Sequence, residues 1–223
     1  EKYAEGKNPD MLITYNIAAT TVEKTDAEHG KSLVFNSLSS MAAAKVLDKN
    51  VTESCVLLSF DVFHDAIGKN LLLRTQNAEN PEKNMYLTGR MLQILRIGDG
   101  KISNYKDPEQ WTTADIENHE AKRWYHYDIW FDISAQKIYY YIDNELKAEL
   151  NGNLKCFAGF VFSVEGNSIA KVAVDNISVT KVGYADGLGL PKEQIPEQLR
   201  GAVVISGASS RVGNIFTMNE SAD

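Results

Sequence analysis

Residues 124–133 read WYHYDIWFDI, and in an extended chain strict alternation puts Trp130 and His126 on one face. Tyr139 and Tyr141 alternate with Ile138, Tyr140 and Ile142 in the next apolar run, so they extend the same stripe. Flat rings presented in a row stack on the C–H faces of sugar rings, and planar polar groups bond the hydroxyls. Arg74 and Gln76 in 70–76, with Arg96 in 91–97, supply such groups from what is expected to be the same sheet. Trp111 and Tyr105, flanking a long polar segment, form a second candidate platform. A competing account is purely architectural. The outer face of a sandwich sheet is often covered by loops or terminal segments, and these rings would then simply be buried.

Acid–base chemistry has fewer candidates. Asp128 and Asp132 share a face in 124–133, and with Asp61 they make the one carboxylate grouping the spacing suggests. Solvated outer-face and strand-end positions are the better account of them. There is no G-x-S-x-G, no H-E-x-x-H and no Gly-rich phosphate loop. His29, His64, His119 and His126 are scattered and read as surface residues. No catalytic residue is expected. Cys55 and Cys156 belong to no CxxC or Cys/His cluster, which argues against zinc or a redox motif. They read as buried thiols, with a disulfide between neighbouring strands as the alternative.

The elements that would hold these side chains are short and extended. Strand-like runs occupy 11–17, 32–36, 56–63, 70–76, 91–97, 101–105, 124–133, 137–143, 145–150, 157–164 and 170–181. Turn signals separate them. Asp99-Gly100 and Asp143-Asn144 suit tight hairpins, and Asn151-Gly152 marks another turn. In 124–133 the natural core face is Tyr125, Tyr127, Ile129, Phe131 and Ile133; in 56–63 it is Val56, Leu58, Phe60 and Val62. Segments 77–90 and 106–123 are polar and read as loops, the second with at most one helical turn. Such spacing, with almost no helical periodicity, argues for an all-β chain closed as an antiparallel sandwich or barrel. Residues 183–223 turn rich in Gly and Pro and read as a linker or tail, possible start of a further domain, with one more strand in AVVISGASS.

Composition narrows the partners. The net charge is -7 and no basic cluster could follow a phosphate backbone, which argues against nucleic acid. No apolar run approaches the ~20 residues a membrane span needs. The sequence starts at Glu1 with no signal peptide in view, as a mature or trimmed chain would, so compartment is not read from that end.

In order, AEHGKSLVF (27–35), CVLLSFDVF (55–63), RWYHYDIWFDISAQKIYYYIDNEL (123–146) and KVAVDNISVTKV (171–182) resemble the concanavalin A-like lectin/glucanase superfamily. The likeness is to its laminin-G-like and carbohydrate-binding jelly-roll modules and covers roughly 1–182. It implies a single antiparallel two-sheet β-sandwich of jelly-roll type over 1–182, an extracellular or cell-surface location, and a lectin-like module of a larger polysaccharide-active or cell-surface protein. The implied partners are a polysaccharide or glycan and neighbouring domains of the parent. The E-x-D-x-x-E strand of the superfamily's laminarinase-like enzymes is absent, which points to a non-catalytic member. The resemblance also implies a structural Ca²⁺, held by Glu5, by carbonyls near Gly30-Lys31-Ser32-Leu33, and by Asp175. Two other readings stand beside this one: a structural or adhesive spacer that binds no glycan, and a glycan-cleaving enzyme with an atypical site.

Overall fold

The computed structural model describes residues 13–15, 20–36, 41–52, 55–77, 91–107, 112–165, 170–182, 209–212 and 215–218. Every regular element among them is a strand. In chain order these are β1 (Ile13–Tyr15), β2 (Thr20–Lys24), β3 (Lys31–Phe35), β4 (Met41–Val51), β5 (Cys55–His64), β6 (Asn70–Gln76), β7 (Met91–Gly98) and β8 (Lys101–Asp107). They continue as β9 (Thr112–Asn118), β10 (Trp124–Asp132), β11 (Lys137–Ile142), β12 (Glu145–Asn151), β13 (Phe157–Glu165), β14 (Val172–Val182), β15 (Ser209–Val212) and β16 (Ile215–Met218).

Two sheets form. One has seven strands in the order β1-β4-β13-β6-β7-β8-β9. The other runs β12-β11-β10-β5-β14-β16-β15, with β3 pairing β14 and β2 pairing β3. All pairings are antiparallel except β14 with β16, which meet in parallel at Ile177 and Ile215. The chain is thus an all-β, two-sheet sandwich, the one of the two architectures its spacing allows that the family resemblance implies.

Alternation explains the core. Tyr125, Tyr127, Ile129 and Phe131 of β10 pack with Val56, Leu58, Phe60 and Val62 of β5 in one buried cluster. Phe160, Phe162 and Val164 of β13 and Leu71 and Leu73 of β6 face them from the other sheet. Phe60 stacks on Tyr127 at 5.1 Å and meets Phe162 edge-on at 5.0 Å, so the two sheets touch through aromatic contacts. The two expected hairpins have left-handed turn residues: Asp99 and Gly100 at φ 51 and 76, and Asp143 and Asn144 at φ 50 and 67. That twist matches the flanking strands.

Four strands escaped the sequence reading within or beside expected loops. β4 carries Ala42, Ala43 and Ala44, residues that favour helix, yet they sit between β1 and β13 where pairing decides the conformation. β9 lies inside the polar segment expected as a loop with a helical turn; it is instead the edge strand against β8. The other two are β2, which pairs β3, and β16, which pairs β15, a strand that starts in the last two residues of the expected AVVISGASS run. Residues 202–208 of the expected AVVISGASS strand lie outside the described residues, as do 78–90 and 108–111 of the two expected loops. Cys55 and Cys156 are both buried and form no disulfide.

Candidate functional site

The candidate residues fall on the outer faces of two different sheets. This corrects the expectation of one shared platform. Trp130, His126, Tyr139 and Tyr141 belong to β10 and β11, whereas Arg74, Gln76 and Arg96 belong to β6 and β7 in the seven-stranded sheet. Alternation tells which side of a strand a residue takes; it is silent on which strands pair.

On the first face, Trp130 sits level with Tyr139 on β11 and Leu57 on β5. Trp130 is 1% exposed and Tyr139 3%. An apolar row of this kind is satisfied by being covered. Tyr141 is half-buried, level with Asp128.

His126 is engaged within the protein. Its Nδ1 lies 2.6 Å from Asp61 Oδ1 and its Nε2 3.4 Å from Asp128 Oδ1. Hydrogen bonding to Asp128 and to Asp61 lifts its pKa to about 10, against a smaller opposing effect of burial. Burial alone would raise the Asp61 carboxyl, but hydrogen bonds from His126 and Asn176 outweigh it and hold the group low. Ser59 Oγ donates to Asp128 Oδ1, and the Ala135 amide donates to Asp132 Oδ1 at 2.8 Å. Each carboxylate of the expected grouping therefore has a protein partner. The same network clamps the turn before β3: His29 stacks on Trp124 at 3.7 Å, and Trp124 Nε1 donates to Asp26 Oδ2 at 2.6 Å.

Asp175 is buried opposite Asp61, just before a bulge in β14. Asn176 at that bulge has φ 48 and donates to Asp61 Oδ2 at 2.6 Å. The Gly30 carbonyl, one of the oxygens expected to hold calcium, accepts the Thr25 amide at 2.9 Å. Among the described residues no three His, Cys, Asp or Glu come together as a metal-holding group. Glu5 lies outside the described residues, and so does Trp111.

The second face is polar and largely buried. Arg74 is fixed on three sides: Nε donates to Gln93 Oε1 at 2.8 Å, Nη1 to Ser163 Oγ at 3.2 Å, and Nη2 approaches Glu165 Oε1 at 3.5 Å. A bulge between Leu73 and Arg74 in the β6–β7 register brings Arg74 level with Gln93. Gln76 follows on the same face at 1% exposure, and among the described residues neither its amide oxygen nor its nitrogen has a hydrogen-bond partner. Arg96 is half-buried and donates to Asp99 Oδ2 at 2.8 Å. Tyr105 is buried, and burial raises its phenol pKa; the cations of Arg74 and Arg96 pull the other way. The row reaches solvent at Arg96 and at the exposed Glu165.

The sequence reading missed Gln93 and Ser163 in this row. Gln93 was legible in principle, since it alternates with Leu92 and Ile94 opposite Arg74. The bulge shifts the register and hides the match.

No family model matches this sequence, and no curated protein matches it. Solved structures do. A sialidase is similar at TM-score 0.56 and 13% identity, over 77% of this chain and 17% of the sialidase. This chain therefore spans about a sixth of that protein. The Emp47p carbohydrate recognition domain is similar at TM-score 0.51 and 11% identity, over 75% of this chain and 87% of that one. An alginate lyase of polysaccharide lyase family 7 is similar at TM-score 0.52 and 10% identity, over 75% of this chain and 85% of the lyase. At such identities the likeness is one of fold. With its two antiparallel sheets and aromatic inter-sheet core, the chain has the concanavalin A-like sandwich fold, an architecture shared by lectins and carbohydrate-active enzymes.

Proposed function

We propose that this chain is a non-catalytic, lectin-like module of an extracellular or cell-surface protein, and that it holds a glycan on the outer face of its seven-stranded sheet. The observation that carries the reading is Gln76. A buried amide with both polar atoms unpartnered costs free energy, on the order of 1–3 kcal/mol per group, unless something polar meets it. Gln76 is as enclosed as Trp130, so a hydroxyl-rich ligand would enter from the solvent side at Arg96 and Glu165 and meet the amide beside Arg74, which Gln93 and Ser163 hold. Arg96 would complete the row from the solvent side. The fold neighbours include a carbohydrate recognition domain, which agrees with this assignment. The pairing of Asp61, Asp128 and Asp132 within the protein favours binding over hydrolysis.

Burial of Trp130 and Tyr139 favours a second reading, the spacer that binds no glycan, because it closes the aromatic stripe to a ligand. Retention of the purified chain on a polysaccharide and glycan array decides between them, run beside Gln76→Leu with Arg74→Met. Retention lost in the double variant, with the fold intact, supports the glycan site. No retention on any glycan by the folded wild-type chain leaves the spacer. A structural Ca²⁺ at Glu5 and Asp175 belongs to the same proposal. Its check is the melting temperature with and without EDTA.

A further inference from the structure

One end of the sandwich contains a buried polar cluster that the glycan reading does not use. His64, the last residue of β5, is 0% exposed, and His119, just after β9, is 4% exposed. Their rings meet edge to face, centroids 4.4 Å apart. Among the described residues their four ring nitrogens meet no well-formed hydrogen-bond partner, and the Lys69 backbone is the one group near enough to favour a charged His64. The pair bridges the two sheets, since β5 and β9 lie in different ones.

Three connections converge on this pair. The Lys122 amide donates to the His64 carbonyl at 2.7 Å, and the His119 amide to the Gly100 carbonyl at 3.0 Å. Gly98, at φ 150, lies so close to the β5–β6 connection that an added Cβ would stand 2.6 Å from the Lys69 carbonyl. The neighbouring charged and titratable groups are these. Lys69 is buried and close enough to disfavour a charged His64, and Asp65 stands near Lys69. On the β9–β10 side are Glu120, Lys122 and Arg123, with the Tyr125 ring 5.3 Å from His119 and its hydroxyl accepting the Glu120 amide. Asp99, in the β7–β8 turn, is committed to Arg96. Among the described residues no third ligand joins the histidines in a metal-holding group. Their available chemistry is protonation.

We propose that His64 and His119 form an acid-sensitive latch: protonation of the pair releases the β5–β6, β7–β8 and β9–β10 connections from one another and opens this end of the sandwich. A cation on either ring would be buried against the other imidazole and near the Lys69 ammonium, with the Lys69 backbone as a hydrogen-bond partner at His64 and none at His119 among the described residues. Burial, the largest cause, pushes His64 down to about 3 and His119 to about 4, from 6.5. The Lys69 carbonyl favours protonated His64 but does not outweigh burial. Both pKa values are depressed in the closed form, so the latch holds above pH ~6.5 and weakens as pH falls below it. An opened end returns both rings to about 6.5, and each then favours opening by roughly tenfold per pH unit below that value. From pH 7 to pH 5 the opening equilibrium rises on the order of 500-fold for the pair, and roughly 25-fold for one histidine.

The test is hydrogen exchange of the whole chain at pH 7 and pH 5, corrected for the intrinsic pH dependence of exchange. Protection in 65–70, 98–101 and 119–123 is expected to fall by about two orders of magnitude or more, while β13 stays protected. His64→Leu or His119→Phe alone should reduce the fall to tens-fold, and the double variant should abolish it. If the variants do not fold, imidazole NMR of the wild-type chain decides the matter. Either ring titrating near its ordinary value with the end still protected overturns the latch, and so does unchanged protection at pH 5.

Discussion

Replacing Trp130 by Ala separates a structural ring from a ligand platform. Trp130 is 1% exposed and lies level with Tyr139 and Leu57, both buried. A buried indole covers about 150–250 Å², which at ~25 cal/mol/Å² is roughly 4–6 kcal/mol of transfer free energy. Measured Trp→Ala truncations in cores cost about 3–5 kcal/mol, so both routes agree. For a chain of this size about 1 kcal/mol moves the melting temperature by 2–4 °C, giving an expected drop of roughly 6–20 °C. Scanning fluorimetry and urea unfolding read the stability, and gel retention at a temperature where the variant is folded reads binding. The expected result is a large loss of stability with binding retained. A variant as stable as wild type that no longer binds glycan would refute the reasoning, and would return the site to the β10–β11 face.

Other expectations follow from the same geometry. Gln76→Leu removes two unpartnered buried atoms, so it should leave stability equal or higher by urea unfolding. Glycan affinity measured by calorimetry should nonetheless fall about tenfold or more, as one to two lost hydrogen bonds would cause. His126, with its pKa raised to about 10, contributes stability that is full below about 6.5 and lost as pH rises through 10. Asp61→Asn should flatten that alkaline limb in melts between pH 7 and 10.5, and an unchanged limb would count against the pair. Gly98→Ala should destabilise by about 2–4 kcal/mol, since its Cβ would collide with Asn70 Oδ1 and stand 2.6 Å from the Lys69 carbonyl at a φ of 150. Gly100→Ala, at φ 76 with open space around it, should cost only about 1 kcal/mol by the same urea assay.

Local features of this fold are legible in the sequence because they depend on near neighbours. The side-chain period of two assigned Tyr125, Tyr127, Ile129 and Phe131 to the core before any pairing was known. The two-residue turns at Asp99-Gly100 and Asp143-Asn144 declared their hairpins because few residues accept positive φ. The sheet-level result was narrowed but not closed: a chain of short strands with tight turns forms an antiparallel sandwich or barrel, and the pairing of strands made it the sandwich. The Ala-rich β4 and the acidic β9 were not legible, since neither sequence prefers a strand without its partners.

The site depended on distances no local pattern contains. Residues 59–128, 74–163 and 64–119 are far apart in the chain, yet each pair touches. Which strands pair, where the β6–β7 bulge falls and which outer face is covered are decided by the whole packed sandwich. The sequence by itself determined the faces, the turns and the fold class, because these follow from periodicity and backbone sterics. Only the tertiary structure decided that Trp130 and Arg74 lie on different sheets, that the indole is enclosed, and that two buried histidines meet at one end. Those outcomes rest on long-range packing, and burial is a property of the assembled chain.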